Sequence, residues 1–302
     1  MPVTDKQLSA AVQMALERPV HELRRRPWPY RSSFAIDELE VVVEGRGRQR
    51  MLFKDLTGTG SKPGFLWDAG REIDAYLEVL GPQAVDAPAC YGALHDPAWL
   101  FLEVVEGDLL WQVGDIHTWE EAARWLAGLH GRSLACRSPR LLRYDAAYFR
   151  CWLPRALEFA PSGSLDEIAA AYERVVGRLA QWPRGFVHGE FYPSNVLVEG
   201  SRIRPVDWEM AGVGPGLLDL AALSSGGWEE RNRERLARAY FEACLPALRG
   251  SGWDDFLDAL EHFRLHLAIQ WLGWSRDWSP PAEHAHDWLA DALRLAEGLG
   301  LR

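Results

Sequence analysis

Lysine is scarce in this sequence, which contains Lys6, Lys54 and Lys62 as its only lysines among 33 basic residues. Acidic residues are more numerous, at 43, and the formal net charge at pH 7 is −10. Proteins that bind nucleic acids usually carry basic patches, so this balance argues against a nucleic acid as the main ligand. A cationic or neutral small-molecule partner fits the charge better.

Cysteines and long apolar runs are also few. The four cysteines, Cys90, Cys136, Cys151 and Cys244, are scattered and form no CxxC pair, which argues against a disulfide framework and a zinc ribbon. The amino terminus lacks a basic-then-apolar signal pattern, and no apolar run approaches the roughly 20 residues that span a bilayer. We therefore expect a cytoplasmic protein that has no membrane partner and is a monomer or a homodimer.

The first third of the chain alternates between helical and strand-like patterns. Apolar residues at helical spacing predict a helix over residues 4–17, with Thr4 as its cap. Strand-like segments at 34–43 and 49–54 flank a Gly-containing turn, which predicts a β-hairpin with Lys54 on its second strand. A further helix is predicted over residues 69–80, with Glu72 in its first turn.

A strand-like run ends at residue 105, and the residue pattern after it predicts mainly helices. We therefore predict two lobes, residues 1–105 and residues 106–302. Three short strand-like segments interrupt the helical part, at 185–187, 196–198 and 203–206. The helices predicted after them cover residues 229–248, 253–274 and 282–298. Short strands clustered within a helical half are unusual enough to mark a functional site.

The residues between these short strands have the spacing of phosphoryl-transfer chemistry. His188, Gly189 and Glu190 follow the first strand, Asn195 comes five positions after Glu190, and Asp207 comes twelve positions after Asn195. Such chemistry needs a carboxylate that accepts or orients the hydroxyl proton, and oxygen ligands that hold Mg²⁺ against the phosphates. The kinase pattern of a carboxylate, then Asn, then a later metal-binding Asp has this order.

The segment resembles the Brenner-type motif of the aminoglycoside phosphotransferase and choline kinase superfamily. The resemblance implies an α+β, two-lobed protein-kinase-like fold, with a small lobe built on an antiparallel sheet and a larger, mainly helical lobe. It further implies Glu190 as the catalytic base, His188 as a support for the catalytic loop, and Asn195 and Asp207 as Mg²⁺ ligands. Asp219 matches an aspartate of the family whose role is structural.

Glu190 departs from the family pattern, which has an aspartate at this position. The extra methylene shifts the carboxylate by about an ångström, and a displacement of that size can lower a rate about 100-fold. A compensating shift of the backbone would keep the enzyme active. Without one, the chain would be a non-catalytic nucleotide-binding pseudokinase.

The resemblance also implies residues that bind the nucleotide. A kinase-like fold needs a strand lysine on the phosphates and a helix glutamate that orients it, and Lys54 and Glu72 are the candidates. The loop that covers the phosphates is predicted at residues 30–34 and includes Ser32 and Ser33. Backbone groups near Glu103 and Val105 are predicted to bind adenine in the segment between the lobes.

These features predict a phosphotransferase that moves the γ-phosphate of ATP, or alternatively GTP, to a hydroxyl group with the help of Mg²⁺. The predicted acceptor is a small molecule of the aminoglycoside, sugar or amino-alcohol type. Some of the 15 tryptophans could line its site, because aromatic faces suit sugar rings and quaternary amines. A kinase-like tailoring enzyme that modifies Ser or Thr of a peptide is the alternative activity.

Overall fold

The computed structural model describes residues 3–29, 34–58, 63–132, 138–275 and 286–301. The chain forms two compact units, each made of several segments. The first unit comprises Met1–Asp108, Ala135–Leu141 and Val196–Met210, and the second comprises Leu109–Leu134, Leu142–Asn195 and Ala211–Arg302. The lobe boundary predicted after residue 105 stays a prediction. Within the described ranges, no helix is both long and apolar enough to cross a membrane.

Strands and helices follow one another along the chain in the α+β pattern. The strands are β1 Val20–Pro27, β2 Ala35–Val43, β3 Gly47–Asp55, β4 Cys90–His95, β5 Ala98–Leu102, β6 Asp108–Leu109, β7 Leu142–Arg143, β8 Arg184–Val187, β9 Val196–Glu199, β10 Arg202–Pro205 and β11 Gly212–Pro215. The helices are α1 Asp5–Leu16, α2 Arg71–Asp74, α3 Ile116–His130, α4 Ala146–Arg150, α5 Trp152–Phe159, α6 Asp166–Gln181, α7 Leu217–Leu223, α8 Glu230–Ala243, α9 Trp253–Trp274 and α10 Trp288–Gly298.

The first unit is built on a five-stranded antiparallel sheet in the order β1-β2-β3-β5-β4. Helix α1 covers one face of this sheet and buries Leu8 and Val12 against Met51, Phe53 and Phe101. Successive side chains of a strand point to opposite faces, so Phe53 on the α1 face turns the neighbouring residue, at position 54, to the other face. The same unit contains the hairpin formed by β9 and β10.

The second unit is mainly helical and is organised around α9. This 22-residue helix packs against α5, α6, α7 and α10, and most of its residues from Phe256 to Trp274 are buried. A small sheet in the order β7-β11-β8 lies in the same unit. Strand β11 runs antiparallel to β8, with Gly212 opposite Val187, and leads into α7. This pairing brings the start of α7 close to the loop that follows β8.

The elements predicted from the sequence are largely confirmed. Helix α1 begins after Thr4, whose side chain accepts a hydrogen bond from the backbone N–H of Gln7, and the predicted hairpin is formed by β2 and β3. The three short strands are β8, β9 and β10. Strand β1 was not predicted, because half of its residues are charged and they lack the alternation of a half-buried strand, as is common for edge strands.

Three predicted helices differ from the structure. The helix predicted over 282–298 begins at Trp288 as α10, and residues 282–285 lie outside the described residues. The helix predicted over 69–80 consists of α2 followed by a π-helical turn, Ala75–Leu80, and turns of this kind are frequent near functional sites. The helix predicted over 229–248 ends at Ala243, where Cys244 is extended and Pro246 starts a separate 3₁₀ turn. Proline disfavours helical geometry at the residue before it, which explains the earlier end.

Candidate active site

Three predicted site residues meet around the ammonium group of Lys54 in the first unit. Its Nζ lies 2.6 Å from a carboxylate oxygen of Glu72 and 2.5 Å from one of Asp207. Lys54 is 3% exposed and Glu72 is 1% exposed, so two of the three charges are fully enclosed. Strand β3 supplies the lysine, α2 the glutamate, and the segment after β10 the aspartate. Sequence positions far apart are thereby joined in one charged cluster.

The carboxylates of this cluster stabilise the charge of Lys54. Burial alone would lower the pKa of Lys54, but the negative charges of Asp207, Glu72 and Glu209 outweigh it and raise that pKa above its ordinary value. Burial raises the pKa of Glu72, against the opposing effect of the Lys54 charge. The lysine therefore stays protonated and carries its positive charge.

Asp207 has an unusual backbone conformation. Its φ is 64°, in the left-handed region that residues other than glycine rarely occupy. Such a conformation costs on the order of 1 to 3 kcal/mol and persists only where the surroundings hold it. The N–H of the next residue, Trp208, donates to Glu72 Oε1 at 3.2 Å. Glu72 thus binds Lys54 and also holds the peptide that follows Asp207.

Arg71 anchors the same region and was missed by the sequence analysis. This arginine is 4% exposed, and its Nη1 donates to the carbonyl of Leu66 at 2.7 Å and to that of Glu209 at 2.9 Å. Its Nε donates to the carbonyl of Arg140 at 2.8 Å. Three backbone segments are therefore tied to the start of α2. The only signal in the sequence was that Arg71 precedes Glu72, which does not reveal its burial.

The loop after β8 in the second unit carries the remaining predicted catalytic residues. Gly189 has a φ of 87°, which glycine adopts without steric cost. The turn lets the N–H of Glu190 donate to Nδ1 of the buried His188 at 3.2 Å. The side-chain amide of Asn195 donates to the carbonyl of Glu190 at 2.9 Å. Glu190 is thus held through its own backbone from both sides.

A buried network fixes the start of this loop. Asp219 is fully buried and accepts hydrogen bonds from the N–H of His188 at 2.7 Å and from that of Gly189 at 2.8 Å. The ring of His130 lies with Nε2 3.1 Å from Asp219 and with Nδ1 2.9 Å from the hydroxyl of Tyr240. The structural role expected for Asp219 is confirmed, whereas His130 and Tyr240 carried no recognisable signal in the sequence.

The other predicted nucleotide-binding residues are not part of these two clusters. Glu103 and Val105 follow β5 in the first unit, and the N–H of Glu103 already donates to the carbonyl of Ala89 at 2.8 Å. The carbonyl of Glu103 and the backbone of Val105 are therefore the remaining candidates for hydrogen bonds to adenine. Ser32 and Ser33 lie outside the described residues.

The predicted metal ligands have suitable chemistry. The Nδ2 of Asn195 donates to the carbonyl of Glu190. The amide oxygen of Asn195 is the atom of this side chain that could bind a cation. Asp207 offers a carboxylate whose side chain is 16% exposed. Among the described residues no three His, Cys, Asp or Glu side chains form a metal-binding group. Mg²⁺ is usually held by one or two carboxylates together with phosphates and water, so the Asp207 carboxylate is a ligand type that suits it.

Known proteins resemble this chain in sequence family and in fold. The model of the "Phosphotransferase enzyme family" matches residues 63–257. The choline kinase LicA from Streptococcus pneumoniae has a TM-score of 0.65, with 14% identity over 99% of each chain. The macrolide 2'-phosphotransferase MphH from Brachybacterium faecium has a TM-score of 0.61, with 18% identity over 98% of each chain. A choline/ethanolamine kinase family protein from Mesorhizobium loti has a TM-score of 0.61 and 18% identity, and the similarity covers 93% of this chain and 88% of that one.

At these identities the structural similarities show the fold, which is the kinase-like α+β fold expected from the motif. No curated protein matches the sequence. The family model spans more than half of the chain and includes Glu72, His188, Glu190, Asn195 and Asp207. The protein therefore belongs to the phosphotransferase enzyme family and transfers a phosphoryl group to an alcohol acceptor.

Proposed function

We propose that this protein transfers the γ-phosphate of ATP to a hydroxyl group of a small molecule in a Mg²⁺-dependent reaction. The observation that carries the proposal is the buried ammonium of Lys54, held between the carboxylates of Glu72 and Asp207. Burial of a lysine charge is tolerated only where negative groups compensate it, and Glu72, Asp207 and Glu209 do so here, which keeps a charged ammonium in the fold. Phosphate oxygens are the ligands that best suit such a compact cation.

The first unit supplies the groups assigned to the nucleotide. Lys54 binds phosphate oxygens, and the carbonyl of Glu103 and the backbone of Val105 bind adenine. Nucleotides bound to structurally similar proteins support this assignment: LicA was solved with AMP, and the aminoglycoside phosphotransferase APH(2'')-Ib with ADP. Asp207 and Asn195 are the proposed Mg²⁺ ligands. When bound, the ion would neutralise the negative charge of the phosphates.

The second unit supplies the carboxylate assigned to the acceptor. The Glu190 carboxylate accepts a hydrogen bond from the acceptor hydroxyl and orients its oxygen toward the γ-phosphorus. The bond between that phosphorus and the oxygen that bridges to ADP breaks as the new oxygen–phosphorus bond forms, and the hydroxyl proton passes to Glu190. His188 and Asn195 act by fixing the backbone of Glu190, whose extra methylene demands a well-defined loop.

The acceptor is proposed to be a small molecule, in keeping with the structural neighbours. Those neighbours include proteins named for choline, macrolide and aminoglycoside substrates. Since they share the fold with this chain at low sequence identity, they support the reaction type more strongly than any one acceptor.

Calorimetric titration of ATP and GTP, with and without Mg²⁺, tests the nucleotide half of the proposal. We expect Mg²⁺-dependent binding of ATP, and weak or no binding without the ion. The same samples are then assayed for ADP release with amino sugars, aminoglycosides, amino alcohols and Ser- or Thr-containing peptides. Turnover with one small-molecule class would support the proposal. Turnover with peptides alone would favour a tailoring kinase, and binding without turnover a pseudokinase.

A further inference from the structure

Arg204 on β10 is one of the largest fully buried side chains of the protein. It is 1% exposed, although its guanidinium carries a permanent positive charge. Strand β10 ends at Pro205, and Asp207 of the charged cluster follows two residues later. A buried charge of this kind is tolerated only where carboxylates and hydrogen bonds compensate it. The partners of Arg204 therefore show which segments of the first unit it holds together.

Three carboxylates surround the guanidinium of Arg204. Its Nη1 donates to Glu199 Oε2 at 2.8 Å, and its Nε lies 3.5 Å from Asp86 Oδ1. Its Nη2 donates to Oε2 of Glu103 and, at 3.1 Å, to the carbonyl of Ala87. One arginine on β10 thus joins the end of β9, the residues before β4 and the segment after β5.

Glu103 is held at two points by this network. Its Oε2 accepts a hydrogen bond from the N–H of Ala89 at 2.9 Å as well as the one from Arg204. Its own N–H donates to the carbonyl of Ala89 at 2.8 Å. Glu103 therefore cannot turn about its backbone without breaking a hydrogen bond to Ala89 or Arg204. The orientation of its carbonyl, the group assigned to adenine, is thereby restricted.

A second contact places the same segment against the hairpin of β9 and β10. A β-carbon at Gly107 would lie 2.5 Å from the carbonyl oxygen of Val198 on β9 and 2.9 Å from the carbonyl carbon. This approach is too close for any side-chain carbon, so the position requires glycine. The segment 103–107 thus contacts the hairpin at both ends, through Arg204 at one end and through its own backbone at the other.

The neighbouring Arg202 shares two of the acids but plays a different part. Its Nη2 lies 2.5 Å from Asp86 Oδ1 and its Nη1 lies 3.1 Å from Glu199 Oε2. Its side chain is 54% exposed, and within the described ranges it makes no hydrogen bond to Glu103. Arg204 is therefore the arginine of β10 that reaches the segment after β5. The planar fork of its guanidinium suits several acceptors in different directions, which the point charge of a lysine does not.

We propose that Arg204 positions the adenine-binding segment, through Glu103, against the hairpin that leads to Asp207. This inference rests on the proposed function, in which the carbonyl of Glu103 accepts a hydrogen bond from adenine. The matching donor is the exocyclic amino group of the base. A carbonyl that is already held in place binds this donor without the entropic cost of ordering a loop. Arg204 is thus a positioning residue, and one hairpin supports both the base end and the metal end of the nucleotide site.

The first test compares ATP with purine riboside triphosphate, which lacks the exocyclic amino group, by calorimetry with Mg²⁺. The unmodified full-length protein should bind ATP about 3- to 10-fold more tightly, the usual contribution of one hydrogen bond. In Arg204→Met the two nucleotides should bind with nearly equal affinity, because the carbonyl of Glu103 is no longer held. A purely structural role of Arg204 would weaken both nucleotides alike. An unchanged preference for ATP in this variant would therefore overturn the proposal.

Two further variants locate the effect. Arg202→Met removes the arginine that binds Asp86 and Glu199 only, and it should keep the preference of the unmodified protein. Glu103→Ala removes the side-chain anchor but keeps the backbone carbonyl, and it should lose the preference as Arg204→Met does. If Arg204→Met does not fold, Glu103→Ala decides, and a retained preference in it would contradict the proposal. An equal loss in Arg202→Met would assign the effect to the charge of the hairpin and not to Arg204.

The second test uses the protein without nucleotide, so it does not depend on phosphotransfer. Hydrogen exchange is measured at the N–H of Glu103 and at that of Ala89, which donate to each other's residue. Arg204→Met should accelerate exchange at both sites by about 10-fold, the equivalent of one lost hydrogen bond, with no change in β2 of the same sheet. Arg202→Met should exchange as the unmodified protein does. Unaltered exchange in Arg204→Met would mean that Glu103 is held without the arginine, against the proposal.

The outcomes separate this inference from the proposed function. A protein that binds neither nucleotide would refute the proposed function, and with it the adenine role of Arg204. Binding of ATP with no preference over the analogue in the unmodified protein would refute the contact between adenine and Glu103. Binding with a preference that survives in Arg204→Met would refute the positioning role alone and leave the proposed phosphotransfer intact.

Discussion

The two units hold their reactive side chains by different means. In the first unit, Lys54 is held by direct ion pairs with Glu72 and Asp207. In the second, Glu190 is held through hydrogen bonds of its own backbone to His188 and Asn195. Charge fixes one set of groups, and loop geometry fixes the other.

This difference follows from the tasks proposed for each set. A nucleotide phosphate carries several negative charges, so the side chain that binds it must be positively charged. A buried positive charge must in turn be held in place by carboxylates. A carboxylate that orients a hydroxyl needs an accurate position more than a strong field, because small displacements lower the rate. Substitutions in the two units should therefore have different effects on nucleotide binding, turnover and stability.

The largest effect is expected for Glu190→Gln, which keeps the loop and removes the carboxylate charge. Turnover should fall by about 100- to 10,000-fold, the usual contribution of general acid–base catalysis, while nucleotide affinity changes little. Steady-state kinetics and calorimetry measure the two quantities. Glu242→Gln, an exposed substitution on α8, is the matched control. A Glu190→Gln variant as active as the parent would show that Glu190 is not the base.

Lys54→Met tests the charged cluster of the first unit. The variant leaves the buried carboxylate of Glu72 without its cation, which should lower the free energy of unfolding by about 3 to 5 kcal/mol. It should also abolish measurable nucleotide binding. Urea unfolding is compared with that of Lys6→Met, which removes an exposed lysine from α1. Equal stability of the two variants would mean that the cluster contributes no net stabilisation.

Asp219→Asn tests the backbone strategy of the second unit. The amide can no longer accept charge-assisted hydrogen bonds from the N–H groups of His188 and Gly189, and a loss of about 1 to 3 kcal/mol is expected. Turnover should fall together with stability, while nucleotide affinity is retained. Asp254→Asn, exposed at the start of α9, serves as the control. Normal turnover in Asp219→Asn would remove this network from the mechanism.

A pH dependence of stability, with no direct effect on the reaction, is expected from His266, which is buried and neutral. Burial lowers its pKa from 6.5 to about 3. Below the ordinary value the unfolded chain binds a proton that the folded chain does not. The free energy of unfolding is therefore independent of this histidine above about pH 6.5. It falls between about pH 6.5 and pH 3, by up to about 1.4 kcal/mol per pH unit.

His266→Gln should remove this component of the pH dependence, measured by urea unfolding at about pH 7 and about pH 5. His117→Gln changes a histidine whose side chain is 76% exposed and should leave the dependence unaltered. An unchanged dependence in His266→Gln would contradict a neutral, buried imidazole.

Local patterns were sufficient to predict several elements. The cap at Thr4 and the hairpin that carries Lys54 follow from the spacing of polar and apolar residues, and the structure confirms both. Strand β1 could not be predicted, because its charged residues are stabilised by pairing with β2, which no local pattern records. The π-helical turn after α2 likewise depends on packing rather than on composition.

The sequence by itself determined the family, because the order and spacing of His188, Glu190, Asn195 and Asp207 form a chemical motif along one short segment. Only the tertiary structure decided how these residues are supported. The anchoring by Arg71 and the link from His130 to Asp219 join positions far apart in the chain. Burial and hydrogen bonding between distant segments depend on the whole fold, and no window of sequence contains that information.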